Sequence, residues 1–344
     1  MIPSIRSNIR AMAGYTPGEQ PRDGAYVKLN TNENPYPPSP RVFEAIQKAL
    51  TGDRLRKYPD PLGHEFRETA GRVLGVDSAC ILIGNGSDDV LTILTRAFVP
   101  EGGLIVSPTP SYLLYKTLAE IQGARHHVIP FTHDWRLDAN QVPGAVNLSF
   151  IPNPNSPTGT LMPAESLVHW PGPLIIDEAY VDFADSNCLH LVKQSERMVV
   201  TRSLSKSYAL AGIRFGFAVA SPAVTAELYK VKDSYNCDVL SLAAATAALA
   251  DQAHMLANRA RIIATRNRLT KALRGLGFEV CDSQANFVWC RRRDCRLEPL
   301  YLELKRRKIL VRYMHFEGYG EGLRISIGTE AEIDRLVEEM MRIA

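Results

Sequence analysis

The sequence lacks the features that mark several large classes of protein. Its six cysteines, at positions 80, 188, 237, 281, 290 and 295, include no Cys-x-x-Cys pair, which argues against a zinc knuckle or a dithiol redox site. A chain of 344 residues does not need disulfides to be stable, so the thiols read as reduced and the compartment as cytoplasmic. No apolar run approaches the roughly 20 residues of a membrane helix. The opening MIPSIRSNIRAM has neither a sustained apolar stretch nor a small-residue cleavage site. The eight histidines show no HExxH-like spacing, and His126 and His127, adjacent on an expected strand, face opposite ways, so no metal is expected. A net charge of +3 is too weak to point to nucleic acid or an acidic membrane. The basic runs 291–293 and 305–308 carry no interleaved aromatics and read as solvated faces. There is no internal repeat and no low-complexity tract.

What remains is an ordinary globular composition, 45% hydrophobic and 22% charged, in a chain long enough for two domains. Residues 1–40 form an arm, in which prolines at 35, 37, 38 and 40 exclude a helix. Helices are expected from Ser39-Pro40 to Leu50 and from His64 to Leu74, on either side of the proline-braced loop Lys57–Gly63. Short apolar runs then alternate with helical patterns. The expected strands are Ile81–Ile83, Leu104–Ser107, His127–Ile129, Val146–Phe150, Leu174–Ile176, Met198–Thr201 and Phe215–Ala220, with helices such as Ser87–Phe98 and Tyr112–Gln122 between them. This alternation predicts an α/β large domain, 41–240, built on a mostly parallel seven-stranded sheet covered on both faces. Residues 222–276 read as helical. A smaller α+β domain, 241–344, holds strands at Phe278–Val280, Phe287–Cys290, Ile309–Val311 and Leu323–Ile327 and helices at Leu300–Arg307 and Glu330–Ile343. The arm is expected to pack on this smaller domain.

Ligands of such sheets bind beyond the carboxyl ends of the strands, and the chemically informative residues fall there. The stretch Ser203–Phe217, SLSKSYALAGIRFGF, combines Lys206, the hydroxyls of Ser203 and Ser205, and Arg214 eight residues on. A lysine between two buried strands is desolvated, which lowers its pKa from roughly 10.4 and makes it nucleophilic. Two hydroxyls and a guanidinium suit a phosphate dianion. Together they read as a lysine carrying pyridoxal phosphate as a Schiff base, although a surface Lys and Arg flanking a loop would leave the same pattern. Gly84-Asn85-Gly86-Ser87 opens a helix and suits either a phosphate or a simple cap; a dinucleotide site is disfavoured because the third glycine is missing. Asp177 follows an apolar strand, where it fits either a helix cap or the partner of a protonated pyridine nitrogen, with Tyr180 in reach of a ring oxygen. Asn153–Gly159 is a tight polar turn. Tyr112 suits stacking on a ring or burial in the core. Arg312 closes one expected strand and Arg324 starts another, so that both are candidates to grip an anion in the interdomain cleft. Tyr58 has no local task.

Taken together, the ordered motifs YxPG, LNxNENPY, YPDP, GNGSD, PxYxxY, NPNxPTG, DEAY, SLSK and LRISIGT resemble the fold-type I pyridoxal-phosphate aminotransferases, from Tyr15 to the C-terminus, and among them the branch acting on histidinol phosphate. The resemblance implies transamination with small-molecule substrates, glutamate or 2-oxoglutarate on one side and histidinol phosphate on the other. It makes Lys206 the Schiff-base lysine and proton shuttle, Asp177 the partner of the pyridine nitrogen, and Tyr180 the donor to the ring oxygen. Tyr112 would stack on the ring. Gly86, Ser87, Ser203, Ser205 and Arg214 would surround the phosphate, joined by Tyr58 from the partner subunit of a homodimer. Tyr15, Asn32, Arg312 and Arg324 would face the substrate. Where such enzymes usually carry Asn before Pro-Thr-Gly, this chain has Ser156, so the role passes to Asn155, to a water, or is lost. Pro37 likewise replaces the usual Gly after Asn-Pro-Tyr. The implied alternatives are an aromatic or other amino-acid aminotransferase and a threonine-phosphate-type decarboxylase. A cofactor-binding regulator would need an appended domain for which this length leaves no room.

Overall fold

The computed structural model describes residues 4–21 and 24–343. Positions 1–3, 22 and 23 of the expected arm, and residue 344 of the expected small domain, lie outside that range. Strands run in chain order as β1 (Val27–Lys28), β2 (Ile81–Gly84), β3 (Leu104–Thr109), β4 (Arg125–Pro130), β5 (Leu148–Pro152), β6 (Leu174–Asp177), β7 (Met198–Ser203), β8 (Gly216–Val219), β9 (Glu279–Val280), β10 (Phe287–Arg291), β11 (Ile309–Leu310), β12 (Arg312–Phe316) and β13 (Gly320–Ser326).

The large sheet has the order β2-β8-β7-β6-β5-β3-β4, with every pairing parallel except those of β8, which runs against both its neighbours. Its strands are apolar on both sides because both sides are covered. Ile81, Ile83, Leu174, Ile176, Val200 and Val219 enter one core, while Leu82, Ile175, Val199 and Ala218, the alternate residues, enter the other. The fifth strand lies two residues later than its apolar run suggests, since Asn147 turns aside to accept the Leu104 amide at 2.8 Å. At the sheet's edge β4 is longer than expected and mostly exposed.

The first two expected helices form at Pro40–Ala49, capped by Ser39 Oγ on the Arg41 amide at 3.1 Å, and at His64–Leu74. Helix Ser87–Phe98 also falls where the sequence places it, whereas the next begins at Leu114 rather than Tyr112. The stretch 222–276 divides into helices Pro222–Val231, Val239–Ala250 and Gln252–Gly275. A boundary at 240 cuts into the second of these, whose Ala244, Ala245, Ala248 and Leu249 pack in the large core beside Val42 and Phe66.

The C-terminal residues form the four-stranded antiparallel sheet β12-β13-β10-β9, with helices Glu298–Arg306 and Glu330–Ile343. Here the expected strand Ile309–Val311 ends one residue early, at Leu310. Ile309–Leu310 pairs in parallel with β1 of the arm, and Arg312 opens the unforeseen β12. Leu29, Val27 and Tyr36 of the arm are buried in the small core. Among the described residues no single helix is long and apolar enough to cross a membrane.

Candidate active site

A cavity of about 350 Å³ opens where the carboxyl ends of the large-sheet strands meet the arm and the small sheet. It is lined by Tyr15, Asn32, Ser87, Tyr112, Ser156, Asp177, Tyr180, Ser203, Ser205, Lys206, Arg214, Arg312 and Arg324 of the sequence-predicted residues. Gly86, Asn155 and Tyr58 are not among its lining residues, although Gly86 directly precedes Ser87.

The floor is made by strand ends. β7 delivers Ser203, whose Oγ accepts the Ser205 amide at 3.2 Å, and the tight loop after it presents Lys206. Lys206 is half-buried rather than enclosed, for its flank is the open cavity. Its Nζ donates to the Thr31 carbonyl at 3.3 Å and lies 5.7 Å from the centre of the Tyr180 ring, while Asn34 ties the Lys206 and Ser207 carbonyls to the arm at 2.9 and 3.1 Å. Arg214 has φ 55° and Asn32 φ 56°, left-handed values uncommon in residues with a side chain and concentrated at functional sites.

The helix 87–98 points its first turn into the cavity beside Arg214. Gly86, at φ 83°, leaves no room for a side chain: a Cβ there would come within 2.6 Å of Arg214 Nη2. Arg214 Nη1 reaches Ser205 Oγ at 3.5 Å, and Nη2 lies 3.6 Å from the carboxylate of Asp88. A helix N-terminus, three hydroxyls and a guanidinium therefore converge, a donor set that fits a phosphate group.

Asp177 ends β6, buried, and accepts three hydrogen bonds: from Tyr115 Oη at 2.8 Å, from Thr201 Oγ1 at 3.2 Å and from the Ala179 amide at 3.2 Å. Burial pushes its carboxyl above the usual range, while the three donors pull it back. Tyr112 stands edge-on to Tyr115 and Tyr15, with ring centres 5.6 and 5.9 Å apart, and its hydroxyl donates to Asp88 at 3.2 Å.

The roof comes from the arm and the small sheet. The Asn32 amide group donates to Tyr180 Oη at 3.0 Å, and its backbone is pinned by Ser326 Oγ at 2.8 Å and by Asn286 Nδ2 at 3.0 Å. Arg312 and Arg324 are direct cross-strand partners on β12 and β13, so they share one face. They do not close and start strands as the sequence reading had it: Arg312 opens β12, and Arg324 lies inside the seven-residue β13. Arg324 donates to Ser156 Oγ and to the Asn30 carbonyl, both at 3.1 Å, and its Nε is shielded with no partner among the described residues. Burial and the neighbouring Arg312 charge lower its pKa. Arg312 reaches the Pro17 and Thr16 carbonyls at 3.4 Å.

Asn155 does not take up a cavity role. Its amide nitrogen serves Thr158 Oγ1 at 2.9 Å and the Pro110 carbonyl at 3.2 Å, and its oxygen accepts from Ser111 at 3.3 Å. Ser156 lines the cavity, as the partner of Arg324. Tyr58 lies outside the cavity, 80% exposed and stacked on Tyr235 at 4.4 Å. The residues not singled out from sequence are Tyr115, Thr201, Asn286 and Ser326. Two of them left a local sign: Tyr115, three residues beyond Tyr112 within the PxYxxY spacing, and Ser326, within LRISIGT.

The family model described as aminotransferase class I and II matches residues 25–340. The chain is 50% identical over 336 residues to a histidinol-phosphate aminotransferase of Rhodopirellula baltica, covering 96% of this chain and 92% of that one. It is 48% identical to the histidinol-phosphate aminotransferase of Geobacter sulfurreducens over the full length of both. Among solved structures, the histidinol-phosphate aminotransferase of Sinorhizobium meliloti in complex with pyridoxal-5'-phosphate superposes with a TM-score of 0.88 at 26% identity, covering 100% of this chain and 99% of that one.

Proposed function

The chain belongs to the class I and II aminotransferase family, and from that premise we propose that its substrates are histidinol phosphate and 2-oxoglutarate, interconverted with imidazole-acetol phosphate and glutamate in histidine biosynthesis. It is a pyridoxal-phosphate-dependent transaminase. The observation that carries the substrate reading is Arg324: a guanidinium in the cavity wall, beside Arg312, that among the described residues bonds only to neutral oxygens and has one N–H without a partner. An anionic group at the far end of the substrate, phosphate in one half-reaction and carboxylate in the other, completes it.

Bound pyridoxal phosphate supplies the carbonyl that exchanges amines and a ring that withdraws charge from the reacting carbon. Lys206 holds it and is the base that lifts the proton from the donor's α carbon and returns one to the acceptor. With the cofactor bound, Asp177 would pair with the pyridine nitrogen, Tyr180 would donate at the ring oxygen, and Tyr112 would stack on the ring. Ser87, Ser203, Ser205 and Arg214 bind the phosphate at Gly86. Tyr15 and Asn32 close over the substrate, Asn32 also orienting the Tyr180 hydroxyl. Ser156 serves Arg324, so the ring oxygen depends on Tyr180. A second copy of the chain brings its Tyr58 to this phosphate; in support, the ring is 80% exposed beside the exposed Tyr235. Six free thiols favour the cytoplasm.

The test is an amino-donor panel on purified holoenzyme: histidinol phosphate, phenylalanine, tyrosine and phosphothreonine, each with 2-oxoglutarate. Histidinol phosphate is expected to give the highest kcat/KM. Lys206→Ala is expected to lose turnover by at least about 10⁴-fold, and with it the cofactor retained on the chain after borohydride reduction. Preference for an aromatic donor, or carbon dioxide release from phosphothreonine, overturns the assignment.

A further inference from the structure

Asp177 and the ring platform Tyr112 belong to different parts of the chain, and one side chain touches both. Tyr115 is fully buried; its hydroxyl donates to Asp177 Oδ2 at 2.8 Å, across 62 residues of sequence. Its ring lies flat on Phe150, with centres 4.9 Å apart and planes 4° apart, and edge-on to Tyr112 at 5.6 Å and 86°. Tyr112 lies just before helix Leu114–Gln122 and Tyr115 is its second residue, with the Tyr115 amide donating to the Tyr112 carbonyl at 3.3 Å, and the Tyr115 ring is wedged between Phe150 of β5 and the platform. The other carboxylate oxygen is held by Thr201 Oγ1 at 3.2 Å, from the neighbouring strand β7.

We propose that Tyr115 is a positioning residue for the cofactor: with Thr201 it fixes the Asp177 carboxylate in orientation and keeps it ionised, and through its ring it sets the tilt of Tyr112. The inference rests on reading this cavity as the pyridoxal-phosphate site. A buried carboxylate without donors takes up a proton rather than stay charged. Asp177 must remain an anion to favour a protonated pyridine nitrogen, and two hydroxyls that can only donate to it supply that bias. Burial raises the Tyr115 hydroxyl far above its usual range, so it stays a donor at every working pH.

The experiment compares wild-type holoenzyme with Tyr115→Phe, which keeps the stacked ring and deletes only the hydroxyl. Three quantities are read: the Kd of apoprotein for pyridoxal phosphate, the pH midpoint of the bound cofactor's visible absorbance, and the split between kcat and KM. The variant is expected to bind cofactor about tenfold more weakly, the effect of one lost hydrogen bond to a charged group. Its absorbance midpoint moves upward, because a ring that holds its pyridine proton less firmly withdraws less charge. Its kcat falls about tenfold with KM within twofold of wild type. A side chain that merely packs would lower stability and leave the midpoint in place. A midpoint and a Kd unchanged from wild type overturn the proposal. Should the phenylalanine protein fail to fold, Thr201→Val carries the same reading, with an upward midpoint supporting the proposal and an unmoved one overturning it. Wild-type protein that takes up no cofactor would instead sink the reading of the cavity itself.

Discussion

Arg202 and Arg324 are both withdrawn from solvent close to the same cavity, and they are held in opposite ways. Arg202, on β7 of the large sheet, lies 2.7 Å from the Glu178 carboxylate and 3.5 Å from that of Asp182, with its side chain 11% exposed. Burial works against its charge, but the two acids hold it protonated, above its usual value. Arg324, on β13 of the small sheet, bonds to Ser156 and the Asn30 carbonyl, and among the described residues no carboxylate pairs with it. The first charge is neutralised within the fold and stitches the loop after β6 to the strand that carries Lys206. The second meets only neutral oxygens, as the proposed grip on a substrate anion requires. The contrast separates two parts of the site: beside the rim the Arg202 charge is met by two carboxylates of the fold, whereas on the hairpin Arg324 meets only neutral acceptors among the described residues.

The largest test of that contrast is Arg202→Met. It strands the wholly buried Glu178 carboxylate, and breaking one side of a buried ion pair costs about 3–5 kcal/mol. The unfolding free energy from denaturant melts is expected to fall by that amount, and Glu178→Gln added to it is expected to recover part of the loss. A loss below about 1 kcal/mol would mean that the triad is decorative and that the two arginines do not differ.

Arg324→Met is expected to do the reverse. With no acid stranded, the cofactor-free protein stays within about 1 kcal/mol of wild type, since replacing a buried charge by an apolar chain of similar volume is often neutral. The kcat/KM for a phosphate-bearing donor falls about a hundredfold, the scale of one or two charge-assisted hydrogen bonds. Steady-state kinetics beside a melt decide it. A strong loss of stability with little change in kinetics would invert the comparison.

The two halves also differed in how far the sequence exposed them. Leu174-Ile175-Ile176 is apolar at every position because both faces of β6 are covered, so a bare apolar run marked a central strand, and the residue after it marked the rim. Lys206, Asp177 and Arg214 were legible for that reason: Asp177 ends β6, Lys206 follows β7 by three residues, and Arg214 lies two residues before the antiparallel β8. In the small domain the signals are weaker. β12 reads Arg-Tyr-Met-His-Phe, half-buried except for the exposed His315, with no apolar run to announce it. β1 and β11 are two residues long, and their pairing depends on a partner some 280 positions away rather than on anything local. Asn32 is fixed by Ser326 and Asn286, contacts that only the folded chain brings together. Tyr115 falls between these cases. Its spacing from Tyr112 was visible, but its acceptor lies across two crossovers of the sheet.

The smallest effect concerns Asp177, where the rim itself departs from full compensation. Burial raises its carboxyl pKa and three donors offset only part of that, so in the cofactor-free protein the charged form is harder to hold in the fold than in the unfolded chain. The sign follows by linkage. Below the unfolded value, about 3.9, the group is protonated in both states and contributes nothing. As pH rises from there through its raised folded value, an ionised carboxylate becomes progressively harder to bury, and the cost is fully present above that value. Cofactor-free Asp177→Asn, which never ionises, is therefore expected to be as stable as wild type at acid pH and modestly more stable at neutral pH. Melts of both proteins across that range check it. A wild type that is instead the more stable at neutral pH would show that Tyr115, Thr201 and the Ala179 amide compensate the charge completely. Asp177 would then stand with Arg202 rather than with Arg324, as a charge satisfied before any ligand binds.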